Sequence, residues 1–414
     1  LGRAGRGSGA RGREARWRAT GERSMKALVT HPGLQHSHQM AQALYEHDLL
    51  KQYWSGVPVR APGEAPPWWL PAAYRAKLRE VAIPSAMRRH PVFFPGVLKL
   101  GLNRYVGRSS SAYAHRVFHL FDHWVAARVE ALRPDIVVAY ENSALRTFQA
   151  ARRIGARCVL EAPAVHHRAA EAMVPVEDRT YLAQINAQKD AEIALADIII
   201  TCSEFAARTY IDAGVLPAKL KPILLGATLP DDVRRQRPAG GPRFVFAGAV
   251  RVGKGIDLLL DAFARLQERL PEVELVLAGA LVEPELGGRI AAMPGVVHLG
   301  ALPQPALFQV FADADCFVLP SRFDSFGMVV AEALACGTPV LLSDRVGAKE
   351  IIHEFPQAGW VVPLSAEALY QRMLALATDR AQLERARAQA CVAGQKYTWA
   401  RYRLSAAETV AALC

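Results

Sequence analysis

None of the six cysteines, at positions 158, 202, 316, 336, 391 and 414, forms a C-x-x-C pair with another. Zinc-ribbon and thioredoxin-type spacings are therefore absent, and scattered thiols argue for a reducing compartment rather than a disulfide framework. Long apolar runs are missing too. The longest stretch without a formal charge, Ile290–Ala312, holds Pro294, Gly295, Pro303 and Pro305, so it does not read as a spanning helix. No secretory apolar segment follows the N-terminus, and no G-x-S-x-G marks a nucleophile elbow. His36 and His38 have no acid or cysteine at ligand spacing, and residues two apart on a helix face different ways. Asp313-Ala-Asp315 mimics a D-x-D metal motif but stands where a helix meets a strand, where it reads as a cap. No metal and no cofactor are expected.

What is present is an ordinary globular composition. Apolar residues make up 51% and charged residues 21% of 414, enough to bury two sizeable cores and too apolar for a mostly disordered chain. The net charge of +11 is unevenly placed: residues 1–24 hold seven Arg and two Glu and supply +5 of it. That Gly- and Arg-rich leader has almost nothing to bury. It is expected to be disordered or non-native, with Met25 as the effective start because a strand pattern opens directly after it. A basic nucleic-acid arm or a transit peptide is the alternative.

From Met25 onward, strands alternate with helices. Lys26–Thr30, Gln52–Val57, Asp135–Tyr140, Ala156–Leu160 and Asp197–Thr201 read as strands, and Ser203 is placed to cap the helix after the last of them. Residues 61–110 read as irregular. Pro230–Pro242, PDDVRRQRPAGGP, concentrates Pro, Gly and charge as linkers do. Beyond it Arg243–Gly248, Glu272–Ala278, Cys316–Pro320, Pro339–Ser343 and Trp360–Val362 restart the strand pattern, and Ile256–Leu270 has a helical apolar period. The pattern predicts an α/β chain with two Rossmann-like, doubly wound domains facing across a cleft. Their expected spans are 25–229 and 243–392, with the linker at 230–242 and a helical tail at 393–414. Ligands of such sheets sit at the carboxyl ends of the strands.

Two segments can carry chemistry. Gly248-Ala-Val-Arg251-Val-Gly253-Lys254-Gly255 follows a strand and opens a helix. It nearly matches the phosphate loop G-x-x-x-x-G-K-[ST], but Gly255 stands where the Mg²⁺-binding hydroxyl would be. The anion-binding physics survives that loss: glycine backbone approaches closely, the helix N-terminus offers free N–H groups, and Arg251 and Lys254 add positive charge. A glycine turn with surface bases is the plainer alternative. The second segment, 321–333, SRFDSFGMVVAEA, runs from a buried strand into a helix, with Asp324 in the loop and Glu332 inside the helix. A Glu among Val330, Ala331, Ala333 and Leu334 needs a partner if buried, and ligand hydroxyls would serve. The amides of Phe326, Gly327 and Met328 are first-turn donors suited to phosphate. For the two acids in isolation, an N-terminal acid plus a surface Glu would be the better reading. Lys254 upstream shifts that balance.

Together these residues resemble the retaining GT-B nucleotide-sugar glycosyltransferases, specifically family 4 (glycosyl transferases group 1). The resemblance runs over nearly everything from Met25. It is strongest over 243–363, in FAGAVRVGKGIDLLLDAF, VVHLGALP, ADCFVLPSRFDSFGMVVAEALACGTPVLLSD and GWVVP. The family's signature is two acids eight apart around Phe-Gly, ahead of an Ala-rich helix and a Gly-x-Pro-Val turn. Asp324, Phe326, Gly327, Glu332 and Gly337-Thr338-Pro339-Val340 meet it.

The resemblance implies that Glu332 binds the nucleotide ribose and that Asp324 contacts the transferred sugar. The amides of Phe326, Gly327 and Met328 would hold the sugar and the β-phosphate, while Lys254 and Arg251 neutralise the departing diphosphate. It implies that Gly33, in the turn Thr30-His-Pro-Gly33, meets the donor from the other domain. It also implies that the tail helix crosses back to the N-terminal domain. Two departures stand out. The first acid is usually Glu, and Asp324 is one methylene shorter, which bears on the identity of the sugar. The usual Arg directly follows the strand-ending Gly, where Ala249 stands here, with Arg251 two further on. The family's N-domain His maps loosely onto His166 in Glu161-Ala-Pro-Ala-Val-His166-His167, with a solvent-exposed loop His as the alternative. Glu141, ending the preceding strand, is a candidate acceptor contact, with a strand-end cap as the alternative.

Residues 68–108 interleave Trp68, Trp69, Phe93 and Phe94 with Arg75, Lys77, Arg79, Arg88, Arg89, Lys99, Arg104 and Arg108, and only Glu80 is acidic. That mixture suits an anionic membrane surface, or else an excursion packed on its own domain. The function expected is retaining, metal-independent transfer of a sugar from a nucleotide diphosphosugar, UDP-sugar favoured, to a glycan or lipid-linked hydroxyl. Its setting would be bacterial cell-surface polysaccharide or lipopolysaccharide synthesis, in the cytoplasm or peripheral at the inner face of the plasma membrane, with no nucleic-acid partner. The competing readings are a non-catalytic GT-B nucleotide- or glycan-binding module and a P-loop-like nucleotide hydrolase.

Overall fold

The computed structural model describes residues 25–68, 70, 75, 78–91, 111–173, 179–237 and 240–413. The expectation for the leader 1–24 lies outside them, as does much of that for 68–108. The first sheet takes its strands in the order β3-β2-β1-β4-β5-β6-β7, and the second in the order β10-β9-β8-β11-β12-β13. In the first, these are β1 Ala27–His31, β2 Leu50–Ser55, β3 Arg88–Arg89, β4 Ile136–Tyr140, β5 Arg157–Ala162, β6 Ile198–Thr201 and β7 Leu220–Pro222. In the second they are β8 Arg243–Ala247, β9 Glu274–Ala278, β10 Val296–Gly300, β11 Cys316–Leu319, β12 Val340–Ser343 and β13 Gly359–Val362. Every pairing is parallel.

The central strands are apolar throughout because both sheet faces are covered. Ala27 and Val29 of β1 pack in one cluster with Met40 and Leu44 of the helix Ser37–Glu46. Leu28, between them, belongs to the opposite cluster with Phe121 and Phe148. The side chains alternate across the sheet as the pleat requires. In each sheet the strand order reverses at one place, between β1 and β4 and between β8 and β11. The crevices at the carboxyl ends of those pairs are where open α/β sheets bind ligands.

The two halves are tied at their C-terminal end. Ala227 N–H donates to the Tyr397 carbonyl (2.9 Å), and the helix Trp399–Ala411 lies along Ser37–Glu46 of the first half. Tyr402 OH donates to Glu161 Oε1 (2.7 Å), and Arg403 donates to Gln39 Oε1 (2.9 Å). The expected division at 392/393 falls inside the continuous helix Arg380–Lys396, which has no proline to break it there. Sequence patterning missed β3, β7 and β10, and all three lie at or near sheet edges. On β10, Val297 and Leu299 stay exposed, and β7 ends on Pro222, which an edge strand tolerates. Half-covered strands leave no apolar run to read.

Candidate active site

The site begins where β8 ends. Gly248 has φ 141°, and the short turn Val252–Lys254 leads to Gly255 at φ 73°, the residue before the helix Ile256–Arg269. A Cβ on Gly255 would lie 1.9 Å from the Pro320 carbonyl oxygen. Only glycine allows the glycine-rich turn to press so closely against the segment leaving β11. That contact sets Lys254 Nζ 2.6 Å from Asp324 Oδ2, with both side chains mostly buried. The two residues expected to flank the reacting bond are thus brought together.

Arg322 fastens the same two segments and was missed as a separate functional residue. Its guanidinium grips both oxygens of Asp257 (2.6 and 2.7 Å) and donates to the Val252 carbonyl (2.6 Å), while its own amide donates to the Gly253 carbonyl (3.2 Å). Burial would raise the Asp257 carboxyl, but the Arg322 fork outweighs it and holds that carboxyl below its ordinary range. The sequence holds no signal for this pairing, because the partners are 65 residues apart.

The loop after β11 is held by its neighbour after β12. Asp324 N–H donates to Arg345 O (3.1 Å), Gly347 N–H to Asp324 O (3.0 Å) and Ala348 N–H to Phe326 O (2.7 Å). Gly327, at φ 88°, ends the loop and starts the helix Met328–Ala335. The amides of Phe326, Gly327 and Met328 donate to no acceptor among the described residues. They form an uncommitted anion-binding edge at a helix N-terminus. Glu332 lies one turn further on, on the face of Met328. It is partly buried and accepts from Gln304 Nε2 (2.9 Å). Burial pushes its carboxyl up, against the Gln304 hydrogen bond. Arg251 is exposed at the edge of the turn, with no ion pair among the described residues.

From the first half, Gly33 N–H donates to His31 Nδ1 (2.8 Å). Burial drives His31 down to about 3, so the ring is neutral at pH 7 and carries its proton on Nε2. Glu141 is buried and lies 3.3 Å from Lys189 Nζ. His166 is buried rather than solvent-exposed. It accepts from the Arg168 amide at Nδ1 (3.3 Å), packs edge-on against Tyr210 and is lowered to about 4 by burial. His166, His167 and Asp190 bring ligating atoms within 4.8 Å of one another, a grouping the sequence reading did not foresee. The Arg168 amide on Nδ1 leaves the His166 proton on Nε2, on the Asp190 side. That arrangement suits a histidine–carboxylate contact better than a cation.

Glu192 shapes the turn after β4. Its carboxylate accepts from the amides of Asn142 (2.8 Å), Ala144 (3.0 Å) and Leu145 (3.3 Å). Burial nevertheless pushes it up to about 7 from 4.5. The folded state therefore binds the proton more tightly than the unfolded one, and stability falls as pH rises from about 4.5 to about 7. The expected change is on the order of 3 kcal/mol. The lowered His31 and His166 act in the opposite direction below about pH 6.5, so the Glu192 contribution is read as a difference between two proteins. Between pH 5 and 8 the wild type should lose thermal stability relative to Glu192→Gln, and a difference between the two that does not change with pH would refute the assignment.

In the described part of 68–108, Trp68 is 87% exposed, while Arg88 is buried against Glu64 (2.5 Å) and Arg60 pairs with Glu80 (2.7 Å). At least one of the bases in that stretch is thus spent on its own domain. No helix among the described residues is long and apolar enough to cross a membrane.

Residues 241–379 match the family model of glycosyl transferases group 1. Among curated proteins, the D-inositol 3-phosphate glycosyltransferase of Jonesia denitrificans is 34% identical over 171 residues, 38% of this chain and 40% of that protein. The phosphatidyl-myo-inositol mannosyltransferase of Mycobacterium tuberculosis is 29% identical over 170 residues, 39% of this chain and 45% of that protein. The matched stretch spans about two fifths of these relatives' own length. The whole fold resembles sucrose-phosphate synthase from Thermosynechococcus elongatus (TM-score 0.65, 17% identity, 94% of this chain and 99% of that one). It also resembles Anabaena HepE solved with UDP and glucose (TM-score 0.62, 17% identity, 94% of this chain and 100% of that one). The fold is GT-B, and residues 241–379 within its second half resemble the group 1 glycosyl transferases.

Proposed function

We propose that the chain is a retaining glycosyltransferase that moves a sugar from a nucleotide diphosphosugar to a hydroxyl of a glycan or lipid-linked acceptor. The observation that carries this reading is the Lys254–Asp324 pair at 2.6 Å, beside three uncommitted amides at the reversal point of the second sheet. A cation and an anion so placed can straddle the bond between diphosphate and sugar. Lys254 takes the phosphate side and Asp324 a sugar hydroxyl. Glu332 holds the ribose hydroxyls one helical turn away, and its raised carboxyl is the signature of an acid kept partly dry for a neutral partner. The diphosphate leaves with its charge met by Lys254, Arg251 and the Phe326–Met328 amides, a set of donors fixed before reaction. The acceptor hydroxyl attacks from the face the diphosphate vacates and passes its proton to the departing phosphate oxygen, so the sugar–phosphate bond is exchanged for a sugar–acceptor bond and the anomeric configuration is kept. No step requires a metal. In this reading Gly33 meets the donor from the first half, and Glu141 and His166 are the candidate acceptor or sugar contacts. UDP is the favoured nucleotide, since a neighbour of the same fold was solved with it. A lipid-linked acceptor at the inner face of a bacterial plasma membrane, in surface polysaccharide or lipopolysaccharide synthesis, completes the proposal.

A P-loop hydrolase fits the geometry poorly. Its Ser/Thr position is Gly255, whose φ of 73° and contact with Pro320 exclude any side chain.

Calorimetric titration of UDP and GDP into the full chain, without metal, tests the donor site. One nucleotide should bind, and Glu332→Ala should weaken it by about 1–3 kcal/mol. A folded protein that binds neither would overturn the assignment.

A further inference from the structure

The donor loop is gripped from across the domain boundary at one residue that lies between the two best-placed functional groups. Ser325 follows Asp324 and precedes Phe326. Its hydroxyl oxygen accepts from Val165 N–H (3.2 Å), in the loop after β5 of the first half. Its carbonyl accepts from Ser203 Oγ (2.6 Å), the residue that also caps the helix Glu204–Asp212 by accepting from Ala206 N–H (2.9 Å). Both bonds cross between halves, over 160 and 122 residues of sequence.

The surroundings fix this contact tightly. A Cβ on Gly347 would sit 2.1 Å from the Ser325 carbonyl oxygen and 2.6 Å from Ser203 Oγ. Glu350 of the second half reaches across to accept from the amides of Glu204 (3.1 Å) and Phe205 (2.9 Å). Phe205 in turn packs against Phe323, the residue before Asp324, at 6.0 Å between ring centroids. The first half therefore holds the donor loop on both sides of Asp324.

We infer that Ser325 is a positioning residue that makes the donor loop respond to the relative placement of the two halves. Any rotation of the halves must pull on the Val165 and Ser203 bonds, and so on Asp324 and on the Phe326 and Gly327 amides, each one or two residues away. The inference rests on the transferase reading for its catalytic consequence, but the coupling itself is a property of the unliganded protein. A loop aligned only when the halves are correctly placed would commit the donor to reaction once the acceptor half is in position, which limits donor loss to water.

The test compares Ser325→Ala with Ser325→Thr, which keeps the hydroxyl. In the unliganded protein, hydrogen exchange should rise in Ser325→Ala at residues 163–167 of the first half as well as at 323–328, and return towards wild type in Ser325→Thr. In transfer assays Ser325→Ala should lower kcat about tenfold with the donor KM changed by less than about twofold, because donor contacts remain but their alignment does not. Unchanged exchange in the first half would overturn the coupling. Raised exchange with unchanged kcat would reduce the contact to a structural one and also overturn the proposal. Raised exchange in Ser325→Ala, together with a wild-type protein that transfers nothing from any donor, would leave the coupling standing and overturn the transferase reading instead.

Discussion

Lys254→Ala should lower sugar transfer by about 10²–10³-fold while leaving the protein folded. The size follows from the role: a fixed cation aimed at charge that develops on the leaving diphosphate is worth that much in rate when removed. The fold should survive because Asp324 keeps 17% side-chain exposure, so water can reach its carboxylate once the lysine is gone and no charge is left dry. Lys254→Arg should recover part of the loss, since it restores the charge but not the compact ammonium geometry. Asp324→Asn should behave differently. It frees Lys254 for phosphate, so nucleotide affinity should hold or rise while transfer falls. Release of nucleoside diphosphate, followed with and without acceptor, measures all three variants. A Lys254→Ala protein within threefold of wild type would remove Lys254 from the reaction.

The contrast between Lys254 and Arg322 shows what the sequence could and could not reveal. Lys254 was legible because its neighbours in the chain already state its context: a strand, a glycine turn, a helix start. Arg322 sits inside the recognisable segment 321–333, yet its partner Asp257 is on another element and its role is visible only in three dimensions. Ser325 is the same case across an even larger gap. The central strands β1, β4, β8 and β11 were legible because coverage on both faces forces continuous apolar runs. The edge strand β10 shows its side chains to solvent on one face, and β7 is too short to set up a period. His166 illustrates the limit from the other side. A loop histidine in sequence reads as exposed, but the contacts with Tyr210 and Thr209 that bury it come from a helix more than forty residues on.

Gly255→Ala tests whether the approach of two loops, rather than any single charged group, makes the site. The added Cβ would lie 1.9 Å from the Pro320 carbonyl oxygen, and both partners are backbone, so neither can rotate aside. The left-handed backbone at φ 73° adds about 1–2 kcal/mol for any residue with a Cβ. Relieving the overlap adds about 1–3 kcal/mol. The second half should therefore be destabilised by roughly 2–5 kcal/mol, a drop on the order of 5–15 °C in its melting temperature. Gly288→Ala is the matched control. It lies exposed in the helix Glu285–Ala292 with no atom within 4 Å of the new Cβ. There the same substitution should stabilise by about 0.5–1 kcal/mol, because alanine loses less backbone freedom in a helix. Nucleotide binding separates stability from function. At temperatures where Gly255→Ala is still folded, UDP or GDP affinity should be lost. Pushing Pro320 away shifts the loop that carries Asp324 and the Phe326–Met328 amides relative to Lys254, so the cation and the amides no longer meet one diphosphate. A folded Gly255→Ala protein that binds nucleotide normally would show that the turn and the loop act independently, and the shared site drawn around them would fall.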